Sequence, residues 1–275
     1  MITQSVIAIT LIGIVITGLI PIIGGIILMA TGRIKASSFW AGVLSYIIAM
    51  LATSIVAVIL GIAAPNMVAN NPTVYGIISS LIKGVLIALA MGICVKSCMK
   101  TRTFNAALSC GLGFGASYAV TLAIGFVGMY ITFGSINSGA FDVQYAEFVK
   151  MGVFDKETVN MLKATYTGYT VTNIVQEILT AVFFAAAMAA AAVFIMRFVC
   201  TGKAFIGICS AIATLAVYSI GSVIPNAVAA IVITAAIGIA ALIFALRMKE
   251  EVVPPEKKPV ADPFLSSVEN AKNDE

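Results

Sequence analysis

The chain contains no histidine, a single tryptophan and only 10% charged residues. The missing histidine removes the commonest metal ligand and the usual proton carrier near neutral pH. The shortage of charge is as informative, because a soluble domain carries charge on about a quarter of its residues. Hydrophobic residues make up 61% of the 275 instead. A soluble core cannot hide that much apolar surface, but lipid can.

What is present is a series of long apolar runs. A membrane-crossing helix needs about 20 consecutive apolar residues. Seven stretches qualify: Ser5–Ala30, Phe39–Ala63, Tyr75–Val95, Thr103–Phe133, Thr172–Met196, Ala204–Ile220 and Ala227–Leu246. They predict an all-α, polytopic membrane protein with seven transmembrane helices. The first run lacks a basic leader and is too long for a signal peptide, so it reads as a retained helix. Pro21 with Gly24 and Gly25 predicts a bend within it.

The basic residues set an orientation. Arg33 and Lys35 follow span one; Lys96, Lys100 and Arg102 follow span three; Arg197 and Lys203 follow span five; Arg247 and Lys249 follow span seven. The alternate connections, Pro65–Val74 and Ser222–Asn226, carry neither lysine nor arginine. Basic loops face the cytoplasm, which predicts an outside N-terminus, a cytoplasmic C-terminus and a multi-pass protein of a bacterial cytoplasmic membrane. Residues 248–275 hold seven acids and four lysines, net −3 against +4 for the whole chain, leaving +7 for the membrane domain at 1–247. The topology accounts for that basic excess without nucleic acid as a partner. The proline-bearing tail (VPPEKKPVADPF) reads as disordered.

Cysteine offers little chemistry. Cys94, Cys98 and Cys200 fall near predicted cytoplasmic helix ends, with Cys110 and Cys209 slightly deeper. That compartment is reducing, which disfavours disulfides. Cys94 and Cys98 lie one helical turn apart, but with no histidine or second close pair they make a poor zinc site. No metal or cofactor is expected.

The one long connection, Gly134–Val171, is predicted to lie outside. Asp142–Met151 reads as a short amphipathic helix, and Asp155 as the N-cap of a second one through Tyr166. Tyr145, Phe148, Phe154, Tyr166 and Tyr169 give this loop an aromatic side suited to lipid headgroups. A helical lid, a partner surface and simple interfacial anchoring are all compatible with it.

Two charges fall within spans. Lys83 lies about eight residues, or roughly 12 Å, below the outer end of span three, and Glu177 is expected at similar depth in span five. An isolated charge at the membrane centre costs about 3 kcal/mol, which favours a Lys83–Glu177 pair. Asn173, Gln176, Glu177 and Thr180 follow helical spacing and form one polar stripe, suited to a salt bridge, a wet cavity or a solute site. Span four carries a different face. Gly111, Gly113, Gly115, Ser117 and Thr121 offer either close helix packing or a groove. The alanine-rich run Ala185–Ala192 does the same in span five.

The stretch Leu81–Gly139 resembles the YhfC-type family of glutamic intramembrane proteases, relatives of the CAAX-processing and bacteriocin-processing superfamily. The landmarks are Thr103-Phe104 after the basic turn, GLGFG at Gly111–Gly115 and INSG at Ile136–Gly139. The resemblance implies an acid pair at Leu86 and Ile87, an arginine at Ala90, a histidine at Phe114 and a glutamate at Tyr118. It implies further histidines near Phe184 and Thr214. None of these positions carries its ionisable group. A glutamic protease needs a carboxylate to activate water and polar groups to steady the oxyanion, so the resemblance implies a non-catalytic relative rather than an enzyme. The first expectation is a binding or scaffold subunit that accommodates a transmembrane segment or lipophilic ligand, partnered by lipid and by another membrane protein or a second copy. A small-solute transporter using Lys83 and the span-five stripe is the second. An intramembrane protease with a non-standard active site is the third.

Overall fold

The computed structural model describes residues 1–63, 72–99, 103–202 and 227–247. Among these residues all regular structure is helical. Span one comprises α1 (Gln4–Ile14), a π-helical turn (Val15–Leu19) and α2 (Ile20–Ala30). Then come α3 (Ala36–Ala63), α4 (Pro72–Cys98) and α5 (Phe104–Ser138). Two short helices follow, α6 (Ala140–Lys150) and α7 (Lys156–Thr167), before α8 (Val171–Thr201) and α9 (Ala227–Arg247). Among the described residues six segments are long and apolar enough to cross a membrane: Gln4–Ala30, Ala36–Ile62, Val74–Cys98, Phe104–Ser138, Val171–Thr201 and Val228–Arg247. The expected span Ala204–Ile220 and the tail at 248–275 lie outside the described residues.

Local chemistry sets the helix ends. The Thr103 hydroxyl accepts the Ala106 N–H at 3.3 Å and opens α5, satisfying a donor that a helix start leaves orphaned. Gly139, at φ +79°, closes α5 in a left-handed turn that glycine adopts without a Cβ penalty. At the start of α8, Thr170 and Asn173 form a reciprocal capping box. Asp155 opens α7 by accepting the Thr158 N–H at 2.6 Å. That backbone bond holds its carboxyl below the usual carboxylate range.

Two helices outreach the membrane. At about 1.5 Å per residue, α5 is roughly 52 Å long and α8 roughly 46 Å, against a hydrocarbon core of about 30 Å. Both extend past the expected span limits of Phe133 and Met196. Their far ends carry α6 and α7 as a cap, so the loop is more helical and shorter than Gly134–Val171. The opposite end of the bundle carries Arg33, Lys35 and Lys96, and is called the basic end below.

The core lies in two places. α3, α4, α5 and α8 pack in turn around Tyr46, Met91, Phe114, Phe184 and Met188. α9 lies against α8. A second cluster joins Ile2 and Val6 of the N-terminal segment to Phe126, Phe133 and Ile174, with Phe141 of α6 beneath the cap. The cap aromatics turn inward rather than towards lipid. Tyr145 stacks on Phe141 with centroids 4.3 Å apart, and Tyr166 and Tyr169 meet Phe133 at 6.3 and 6.2 Å. A ring buries 150–250 Å², and the overhanging end of α5 gives that area somewhere to go. The cap is tied down at the N-terminus as well: the Ile2 N–H donates to Asn137 Oδ1 at 2.7 Å, and Asn137 Nδ2 donates back to the Ile2 carbonyl at 2.9 Å.

Candidate functional site

Glycines of α3 and α5 account for the tightest packing: a Cβ on Gly42 of α3 would run into the Cys110 carbonyl of α5. A Cβ on Gly111 would run into the Met188 carbonyl of α8, and one on Gly113 into the Phe39 carbonyl of α3. At Gly115 it would lie 2.6 Å from Ala185 Cα of α8. Gly111 and Gly115 are four residues apart and face α8, while Gly113 points the other way, so α5 is clamped between two helices. This is the small-residue packing that brings helices together where water supplies no driving force. Of the five expected face residues, these three are therefore spent mainly within the chain. Ser117 and Thr121 lie further along α5 and open onto a cavity.

That cavity begins with the break in span one. Gly13 and Gly18 let α1 and the π-turn lie close against Phe126 and Ala123 of α5. Pro21, one turn later, has no N–H to continue the ladder. The irregularity anticipated from Pro21 is thus a π-turn just before it, a feature frequent at functional sites. Beyond it only Gly25 of α2 is buried, and Ile22, Ile23, Ile26 and Ile27 are each about half exposed. α2 is a thin wall with open space behind it.

Two lobes occupy that space. One, of about 270 Å³, lies among Thr17, Leu28, Leu112, Gly115 and Ala181. The other, of about 470 Å³, is bounded by Trp40, Tyr46, Val120 and the two hydroxyl residues Ser117 and Thr121. Pro21, Gly25, Phe39 and Ala116 line both lobes, which meet where Phe39 Cζ approaches Gly25. The walls are apolar apart from a few hydroxyls. The Ser117 and Thr121 hydroxyls donate to the Gly113 and Ser117 carbonyls at 2.9 and 3.0 Å. Their protons are committed, leaving oxygen lone pairs able to accept from a ligand.

The polar stripe of span five divides. Asn173, Gln176 and Glu177 line a cavity of about 340 Å³ at the cap end, together with Thr165 and Tyr169. Thr180, one turn deeper, does not line it. Burial pushes the Tyr169 hydroxyl up, and the Glu177 charge adds to that shift. Lys83 is absent from this cavity, and the only ion pair among the described residues joins Lys163 to Asp142 at 2.6 Å. The expected Lys83–Glu177 pair does not form, and the reason is height. Gly92 of α4 is level with Ile195 of α8, its notional Cβ 3.9 Å from the isoleucine side chain. Lys83 is nine residues above that level and Glu177 eighteen, a difference of about 13 Å at 1.5 Å per residue. Glu177 therefore stands above Lys83 rather than at its depth, in the second turn of α8 beside the cap.

The positions assigned to catalytic groups by family resemblance come together, but as hydrocarbon. Ile87, Ala90, Phe114 and Phe184 are buried in the central cluster, and Tyr118 packs on it. The rings interlock, Tyr46 against Phe114 at 5.3 Å and Tyr118 against Phe184 at 4.4 Å. Leu86 is half-buried and not part of that cluster, and Thr214 lies outside the described residues. Cys94 is buried and Cys98 exposed. Among the described residues no three potential metal-ligating side chains of the histidine, cysteine, aspartate or glutamate type converge. Gly115, Ser117 and Thr121, expected on a packing or groove face, line these lobes; the role of α2 was not legible, because nothing in an apolar periodicity reveals that it stands off its neighbours, and Pro21 was the available signal. No family model matches the chain, and neither a curated protein nor a solved structure matches it.

Proposed function

We propose that this protein is a non-catalytic, YhfC-like membrane protein that holds a lipophilic ligand in the two-lobed groove behind α2, as a binding subunit of a membrane assembly. The groove carries the reading. Its larger lobe, at about 470 Å³, lies within the usual range for small-molecule sites, about 300–1,000 Å³, which are mostly apolar with a few placed polar groups. A transmembrane helix of 20 residues displaces on the order of 2,400 Å³, so the lobes suit an acyl chain or a compact lipophile better than a partner's span. Ser117 can accept a hydrogen bond and the Trp40 indole N–H can donate one, while the Tyr46 hydroxyl is engaged with Thr121. The absence of carboxylate or imidazole among Ile87, Phe114 and Phe184 favours holding over cutting.

The topology belongs to the same proposal. Seven spans, with Ala204–Ile220 as the sixth, place the N-terminus and the cap outside and the tail in the cytoplasm. The support is that Arg33, Lys35 and Lys96 gather at one end of the bundle. The Lys35 N–H donates to Ser109 Oγ at 3.1 Å, which ties that turn to the start of α5.

The test is mass spectrometry of the full chain purified from its native membranes in mild detergent, beside Ser117→Phe, which fills the larger lobe. The expected result is a bound lipophile in the parent protein and its loss from the variant at unchanged thermal stability. Equal retention by both proteins refutes the groove as the site. A stoichiometric partner chain with no bound small molecule refutes the ligand reading and favours a scaffold for a transmembrane segment.

A further inference from the structure

The cavity at the cap end has a different chemistry from the groove and lies apart from the proposed lipophile site. Its polar lining is Thr165, Tyr169, Asn173, Gln176 and Glu177, with no lysine or arginine. Asn173 Oδ1 is committed to the capping box, accepting from Thr170. Among the described residues no hydrogen bond or ion pair engages the Glu177 carboxylate or the Gln176 amide. The last turn of α7 also borders the cavity through Thr165 and Gly168. A helix C-terminus leaves carbonyls without intrahelical partners and carries the negative end of the dipole. Carboxylate, amide oxygen, phenol ring and carbonyl end all favour a positive guest.

Size and position narrow the guest further. A bare divalent cation is held by six or more oxygens at about 2.0–2.6 Å, whereas one carboxylate in about 340 Å³ leaves room for an organic group. An aromatic face such as that of Tyr169 attracts ammonium ions within about 6 Å of the ring. Glu177 lies in the second turn of α8, at the end of the bundle that carries the cap.

We propose that the cap cavity is a binding site for an organic ammonium group, with Glu177 as counter-ion, Gln176 as acceptor and Tyr169 as the aromatic wall. The ammonium could belong to a phospholipid headgroup or to a free amine, and both present the same chemistry to Glu177. The site stands independently of the groove.

The experiment uses the full chain in nanodiscs. In discs of phosphatidylglycerol alone, ethanolamine and choline are titrated calorimetrically against the parent, Glu177→Gln and Thr165→Phe; the last fills the cavity from exposed α7. In parallel, native mass spectrometry compares retention of phosphatidylethanolamine with that of phosphatidylglycerol. A free-amine site gives saturable binding that Glu177→Gln weakens roughly tenfold to a hundredfold, as loss of a charge-assisted bond should, and that Thr165→Phe abolishes. A headgroup site gives preferential retention of phosphatidylethanolamine, lost in both variants. Glu147→Gln, a carboxylate change on α6 away from the cavity, leaves either signal intact. Neither soluble amine nor amine lipid distinguishing the parent from Glu177→Gln overturns the proposal, as does equal loss in Glu147→Gln.

Discussion

Replacing Gly115 by alanine tests the claim that α5 and α8 are held at a distance only glycine permits. The new Cβ would lie 2.6 Å from Ala185 Cα and 2.7 Å from its Cβ, and ordinary contact begins near 3.4 Å. One helix must therefore retreat by about 0.8 Å, and the nearest atom is backbone, so no rotamer change relieves it. Overpacking of this kind costs about 1–3 kcal/mol. Against that, alanine is favoured over glycine in a helix interior by roughly 0.5–1 kcal/mol. The net expectation is a loss of about 1–2 kcal/mol. Gly125, on the same helix, has nothing within 4 Å of its notional Cβ, so Gly125→Ala should gain about 0.5–1 kcal/mol from propensity alone. Unfolding in mixed micelles of rising SDS fraction, followed by circular dichroism and Trp40 fluorescence, reads both variants against the parent. Opposite signs are expected. A Gly115→Ala protein as stable as Gly125→Ala refutes the close approach and the arrangement of α5 built on it.

Other substitutions probe the cap and the core. Asn137→Ala removes both bonds to Ile2 and should cost about 1–2 kcal/mol, read as faster proteolysis near the N-terminus before any global change. Phe114→Ala empties a wholly buried site and should cost about 3–5 kcal/mol; a near-neutral result would mean that the ring is not packed as described. The Asp155 cap is pH-dependent. Its carboxyl is held below the ordinary value by the Thr158 N–H, so its contribution is complete above the unfolded value of about 3.9 and fades as pH falls through the lower folded value. Amide exchange at Thr158 should accelerate in acid for the parent chain, and Asp155→Ala should show the fast rate at every pH.

The helices were legible because an apolar run of span length has few alternatives in lipid. The cap helices were legible from Asp155 and from the amphipathic run beginning at Asp142. Thr103, GLGFG and INSG were picked out as landmarks, and each now has a packing explanation: an N-cap, a clamp between two helices, and a buried isoleucine with an asparagine tie and a left-handed stop. What the pattern could not convey was vertical register. A span limit placed at Phe133 rather than Ser138, or at Thr172 rather than Val171, says nothing about how far a helix stands above its neighbours. Lys83 and Glu177 seemed level for that reason. Hydropathy is likewise blind to whether an apolar face meets protein or lipid, which is why the small-residue face of α5 was legible as a packing or groove face while the part of α2 in walling the groove was not.

The tie between Ile2 and Asn137 has a consequence for how the molecule is made. Its two partners are separated by 135 positions in sequence, so span one lacks this tie until the far end of α5 has been made. Gly13 and Gly18 wait for the same helix, since their contacts are Phe126 and Ala123. During synthesis, span one is a lone hydrophobic helix with a π-turn and a proline, free to drift in the bilayer or to be held by an insertion factor. The segment that walls the groove is thus secured only after α3 and α4 have been made. A slow ribosome or a weakened α5 should therefore yield a protein whose remaining helices are packed while α1 and α2 are not, a failure visible as protease sensitivity confined to the first thirty or so residues.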